Sequence, residues 1–157
     1  MAPLGSAGGA ESAGSALPRG VVLYIEDNAV NFMLVEHLLL RWPEVKLLHA
    51  ETGKDGLWMA RSETPDLILL DMRLPDMDGL EVLAELRGGK ARAPCRVVAL
   101  SASAMPEEVS AAEKAGALHY WTKPLDFAQF LGDMRRLLAV EGVSKPEGAA
   151  ATPRSTS

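Results

Sequence analysis

Apolar and polar positions along the chain switch repeatedly between two periods. Val21–Ile25, Lys46–Ala50, Leu67–Leu70, Val97–Leu100 and His119–Trp121 are short runs bounded by turn residues, and the first, third and fourth are rich in Val, Ile and Leu. Such runs predict strands, the apolar ones buried on both faces. A helical pattern follows each run. Val30 to Leu38, entered through Asn28, predicts a first helix; Thr52 to Ser62 a second; Leu80 to Arg87 a third, stopped by Gly88 and Gly89. Pro106-Glu107-Glu108 suits the start of a fourth helix, which Gly116 closes. Asp126 with Gln129 resembles a capping box opening a fifth. There Phe127, Phe130, Leu131, Met134, Leu137 and Leu138 recur on one face, predicted to be core.

Five strand-helix units in about 124 residues predict an α/β fold, a doubly wound parallel sheet of five strands, because right-handed crossovers place helices on both faces. An eight-unit barrel does not fit in that length. The common order for five strands is 2-1-3-4-5, and ligands of such sheets gather beyond the carboxyl ends of the strands at the switch between strands one and three.

Composition narrows the setting. Lys and Arg number 16 against 21 Asp and Glu, a net charge of -5. No basic cluster is dense enough to trace a phosphate backbone, so direct nucleic-acid binding is not expected. A single cysteine, Cys95, excludes an internal disulfide and a cysteine-rich zinc site, which points to a reducing cytoplasm. No stretch is long and apolar enough to suggest membrane contact. Residues 1–19 and 144–157 are mostly small or polar and are expected to be disordered, flanking one domain over 20–143.

Charged residues stand where the apolar runs end. The first run leads into Glu26-Asp27-Asn28, the third into Asp71, the fourth into Ser101 and the fifth into Lys123-Pro124. Three converging carboxylates repel unless a cation lies among them, and oxygen-only donors favour Mg²⁺. Mg²⁺ held by few protein oxygens leaves positions for phosphate oxygens, toward which Lys123 and Ser101 can donate. The expected pocket holds a phosphoryl group.

LYIEDN, LILLDMRLPDMDG, VVALSASAMP and YWTKP, with 44, 30 and 22 residues separating Asp27, Asp71, Ser101 and Lys123, resemble the receiver domain of two-component response regulators across Gly20 to Val143. The resemblance is greatest to receivers of hybrid sensor histidine kinases, and it implies a flavodoxin-like fold. It further implies that Asp71 is the phosphoacceptor, that Glu26, Asp27 and Asp71 hold Mg²⁺ with the backbone carbonyl of Arg73, and that Lys123 contacts the acyl phosphate. Ser101 and Tyr120 take the family's switch positions, and the Lys123-Pro124 bond is cis in similar proteins. Glu26 departs from the Asp that many receivers carry. The implied donor is a phosphohistidine of a histidine kinase or histidine phosphotransfer protein, and the implied response is a change in the surface of the fourth helix, fifth strand and fifth helix. A phosphorylation-linked dimer is compatible with the resemblance.

Two other classes compete: a metal-dependent aspartyl phosphatase and a pseudo-receiver that binds partners without phosphorylation. Phosphatases resembling haloacid dehalogenases carry a second Asp two positions after the nucleophile, where this chain has Arg73. The intact Glu26, Asp27, Asp71 and Lys123 argue against a pseudo-receiver. His37, His49 and His119 have no metal spacing and are expected to be structural or superficial. Asp76 and Asp78 fit a turn better than a calcium loop. Trp58 is open between core packing and an exposed contact surface. Arg73 and Ser103, flanking the site, are candidates for tuning phosphoryl lifetime.

Overall fold

A computed structural model describes residues 17–88 and 96–139. Within them five strands and five helices alternate: β1 Arg19–Ile25, α1 Ala29–Leu39, β2 Glu44–Ala50, α2 Gly53–Glu63, β3 Leu67–Asp71, α3 Gly79–Gly88, β4 Val97–Ser101, α4 Pro106–Lys114, β5 His119–Thr122 and α5 Phe127–Leu138. The strands form one parallel sheet in the order β2-β1-β3-β4-β5. Every residue of β3 and β4 is buried, as their unbroken apolar runs require.

Alternation along the strands divides the core into two layers. Val22, Tyr24, Leu67, Leu69, Val98 and Leu100 pack against α1 and α5 through side chains such as Val35, Leu38, Phe130 and Met134. Leu23, Ile25, Ile68, Leu70, Val97 and Ala99 face α2, α3 and α4, meeting Leu57, Ala60, Val82, Leu83 and Ala112. Neighbouring residues of each strand therefore serve opposite layers.

Helix starts are fixed by side-chain caps. Asn28 and Thr52 accept from the backbone N–H groups of Asn31 and Asp55, so each precedes its helix rather than beginning it. Asp126 accepts from Gln129 N–H in the same way. Asp78 accepts from Leu80 N–H while Glu81 accepts from Asp78 N–H, closing a reciprocal cap on α3. Gly79 lets the loop fold back on the end of β3, since a Cβ there would lie 2.7 Å from the Met72 Cα.

Three sequence expectations change. Arg19 already pairs with Glu44, so β1 begins two residues before the expected Val21. Strand β2 starts at Glu44, two residues before the expected Lys46, because β1 pairs with Glu44 and Val45 as well. Phe127 is 49% exposed and does not join the α5 core, since the first turn of that helix precedes its contact with the sheet. Trp58 is 65% exposed while Gly56, Leu57 and Ala60 are buried, which settles its face. Cys95, Gly89 and most of the two expected tails lie outside the described residues. Among those described, no helix is long and apolar enough to cross a membrane.

Candidate functional site

The parallel sheet brings the carboxyl ends of β1, β3, β4 and β5 to one edge, and there the apolar core gives way to polar side chains. Glu26 is 1% exposed, and Asp71 and Ser101 are 6% exposed each. Asp27, next after Glu26, points its side of the strand end to solvent and is exposed. One carboxylate oxygen from each of Glu26, Asp27 and Asp71 lies within 4.8 Å of the other two. That spacing and the all-oxygen donor set fit a hard divalent cation.

Lys123 reaches into the acids from the end of β5. Its Nζ lies 3.1 Å from Glu26 Oε1 and 3.3 Å from Asp71 Oδ2. The Lys123-Pro124 peptide is cis, and Lys123 N–H donates to the Ser101 carbonyl at 2.8 Å. The ammonium thus bridges two buried carboxylates and leaves part of its own surface open to an incoming anion.

Burial sets the proton affinities against one another. Asp71 is pushed up from 3.8 to about 6, first by desolvation and further by the Glu26 carboxylate, although Arg73 N–H and Lys123 oppose the rise. Desolvation also works against ionised Glu26, but hydrogen bonds with Asp71, Lys123 and Asn28 N–H outweigh it and lower the Glu26 pKa. Without a cation, falling pH therefore protonates Asp71 before Glu26.

The backbone holds both acids in place. Asp71 Oδ1 accepts from Arg73 N–H at 3.0 Å. Glu26 Oε2 accepts from Asn28 N–H at 3.1 Å, and its own N–H donates to the Ala50 carbonyl. His49 Nε2 lies 2.8 Å from the Glu26 carbonyl oxygen, with its ring stacked on Phe32 at 3.8 Å between centroids. His49 thus packs behind the Glu26 backbone.

Ser101 and Tyr120 meet through a third residue. Ser101 Oγ accepts from Ser103 N–H at 3.2 Å, and Tyr120 donates its hydroxyl to the Ser103 carbonyl at 2.6 Å. The half-buried Tyr120 ring packs on the α2-α3-α4 side of the core. Both side chains line an open groove of about 660 Å³ between the β3-α3 loop and α4, with Arg73, Pro75, Glu107 and Glu108 around it. The side chain of Arg73 is exposed.

Two contributors escaped sequence reading. Tyr24, counted as one member of an apolar run, places its hydroxyl 2.9 Å from Glu26 Oε1. The signal was available: residues two apart on a strand share a face, and a buried phenol needs an acceptor. Asp76 accepts from Gly53 and Lys54 N–H at 2.7 and 3.0 Å, tying the β3-α3 loop to the start of α2. No local pattern announces a cap supplied from 23 residues away.

A family model for the response regulator receiver domain matches residues 22–135. The chain is 32% identical over 133 residues to the transcriptional regulatory protein ZraR of Salmonella typhimurium, covering 83% of this chain and 30% of that protein, so it spans about a third of that relative's length. It is 30% identical over 117 residues to the polar-differentiation response regulator DivK of Brucella ovis, covering 74% of this chain and 94% of DivK. Among solved structures, the receiver domain of a sensor histidine kinase from Pseudomonas aeruginosa, crystallised with a magnesium ion in its active-site cleft, superposes with a TM-score of 0.68 at 27% identity, covering 78% of this chain and 99% of that one.

Proposed function

The chain belongs to the response regulator receiver domain family of two-component signalling, and we propose that it acts as a phosphoacceptor switch, taking a phosphoryl group from a phosphohistidine onto Asp71. The observation that carries this reading is the placement of Lys123 between Glu26 and Asp71 at the edge where three carboxylate oxygens cluster. Receivers bind Mg²⁺ at an acidic pocket, and here Glu26, Asp27, Asp71 and the Arg73 carbonyl would hold it. When bound, Mg²⁺ neutralises the acids and spreads the charge of the phosphoryl oxygens.

Asp71 supplies the nucleophile. Its pKa of about 6 leaves it mainly ionised at neutral pH even in the bare site. One carboxylate oxygen attacks phosphorus in line, the new O–P bond forming as the N–P bond breaks. The electron pair of the broken bond returns to the departing imidazole, whose other nitrogen carries the proton that keeps it neutral. Lys123 donates to the transferred group throughout, and the Asp71 grip on Arg73 N–H keeps the attacking carboxylate oriented.

Swinging round to donate its O–H to the acyl phosphate carries Ser101 Oγ away from the Ser103 N–H from which it accepts. Releasing Ser103 loosens the same residue that receives the Tyr120 hydroxyl, so the mark at β3 reaches β5 and α4 through one loop. Helix α4 buries only Ala112, which leaves it few contacts to resist the change. The responding surface is α4, β5 and α5.

The donor is a histidine kinase or histidine phosphotransfer protein, and the setting is cytoplasmic. Helix α1 supports a protein donor, because Val30, Met33 and Leu34 stand 64%, 60% and 45% exposed on the helix that begins beside Asp27. A phosphatase resembling haloacid dehalogenases would carry a second Asp at position 73, where this chain has arginine. The test is intact mass after incubation with acetyl phosphate and Mg²⁺: a gain of one phosphoryl group that Asp71→Ala abolishes. Steady phosphate release from many monoesters, without a retained adduct, would select the phosphatase instead.

A further inference from the structure

Tyr24 is a large side chain with a polar tip, placed inside the layer between the sheet and helices α1 and α5 at 1% exposure. Its ring packs among aliphatic neighbours and lies 6.0 Å from the Phe32 ring. Phenylalanine would fill that space equally well. The oxygen is nevertheless aimed along β1 at the next residue on the same face, donating to Glu26 Oε1 at 2.9 Å.

Glu26 needs such a tether more than a shorter acid would. A glutamate carries one more rotatable bond than an aspartate, so its carboxylate must be held to present a fixed face to a cation. Oε1 receives both the Tyr24 hydroxyl and Lys123 Nζ, and Oε2 receives Asn28 N–H. A carboxylate offers about four lone-pair positions, so these three donors occupy most of them and fix the group's orientation, while one of its oxygens lies within 4.8 Å of oxygens of Asp27 and Asp71.

We propose that Tyr24 is a positioning residue of the cation site, whose hydroxyl fixes the long side chain of Glu26 so that one carboxylate serves both Lys123 and the metal. This rests on the function proposed above. Groups that orient ligands from behind in this way change metal affinity by about 10- to 100-fold when removed. Tyr24 and Glu26 then act as a matched pair, the longer acid requiring the phenol.

The test is calorimetric titration of the full chain with Mg²⁺, comparing the unaltered protein with Tyr24→Phe, Glu26→Asp and the double substitution. Tyr24→Phe should weaken Mg²⁺ binding about tenfold while the circular dichroism spectrum is retained. In the Glu26→Asp background, where the carboxylate is withdrawn from the hydroxyl, adding Tyr24→Phe should change nothing further. Equal affinity of Tyr24→Phe and the unaltered chain overturns the proposal, as does an undiminished effect in the Glu26→Asp background. Absence of Mg²⁺ binding by the unaltered chain overturns the phosphoacceptor reading and this inference with it. A second measurement needs no folded variant at position 24: with only two tyrosines in the chain, ¹³Cζ labelling and assignment through Tyr120→Phe isolate the Tyr24 signal. It should move with Mg²⁺ occupancy, and an unmoved signal at saturation overturns the proposal.

Discussion

Replacing the reactive acid should make the metal-free protein more stable at neutral pH. Asp71 is 6% exposed and lies against Glu26, and its pKa rises from 3.8 to about 6 on folding. The folded form therefore binds this proton more tightly than the unfolded form. Stability from this group is greatest below about pH 4 and is lost as pH rises through about 6. At about 1.36 kcal/mol per tenfold change in proton affinity, ionising Asp71 costs the fold about 3 kcal/mol at pH 7. Asp71→Asn copies the shape of the protonated carboxyl, and its amide can donate to Glu26, so most of that cost should disappear. Urea unfolding with EDTA present should show the variant and the parent nearly equal at about pH 4, with the variant more stable by about 2–3 kcal/mol at about pH 7.5. Mg²⁺ should narrow the gap by stabilising the parent. A gap independent of pH, or a parent more stable than the variant at neutral pH without metal, would refute the electrostatic account of the site.

Other consequences are local. Gly79→Ala should lower stability by about 1–3 kcal/mol in urea unfolding, because the added Cβ meets the Met72 backbone and the loop carrying Arg73 must shift. Asp76→Ala removes the acceptor for Gly53 and Lys54 N–H and should cost on the order of 1 kcal/mol, solvent replacing part of the loss. Desolvation opposes ionised Asp76, but those two N–H groups outweigh it and lower its pKa. Its contribution is accordingly present above its unfolded pKa and fades as pH falls through the folded value, so the parent-variant gap should shrink in acid. Tyr120→Phe removes the donor to the Ser103 carbonyl and should speed hydrogen exchange across the β4-α4 loop and the first turn of α4, leaving β3 unchanged. Unaltered exchange in that loop would show that the hydroxyl does not fasten it.

How much of this could be read in the chain depended on the range of the interactions. Strands β1, β3 and β4 were plain because burial on both faces forces continuous apolar runs, and the acids that end two of them stand out against those runs. The edge strands blurred: β2 begins with Glu44, Val45 and Lys46, which mix charge with one apolar residue, and His119 opens β5 while exposed. Helical spacing grouped Phe127 with Phe130, yet spacing alone does not reveal where a helix first touches its sheet. The convergence of Glu26, Asp27, Asp71, Ser101 and Lys123 was legible because parallel strands put their carboxyl ends on one edge. What escaped was the support behind them. Tyr24 passed as core because its ring is core, and only its oxygen belongs to the site. Asp76 passed as a turn residue because its partners lie in α2, outside any local window.

The central claim is that Asp71 itself receives phosphorus. After phosphorylation by a histidine phosphotransfer partner in the presence of Mg²⁺, borohydride reduction of the acyl phosphate converts the modified aspartate to homoserine, and peptide mass spectrometry locates it. The account predicts homoserine at position 71 and at no other acid; an unmodified Asp71 alongside a label at Asp27, Glu26 or a histidine, or no label with an active donor, would contradict it.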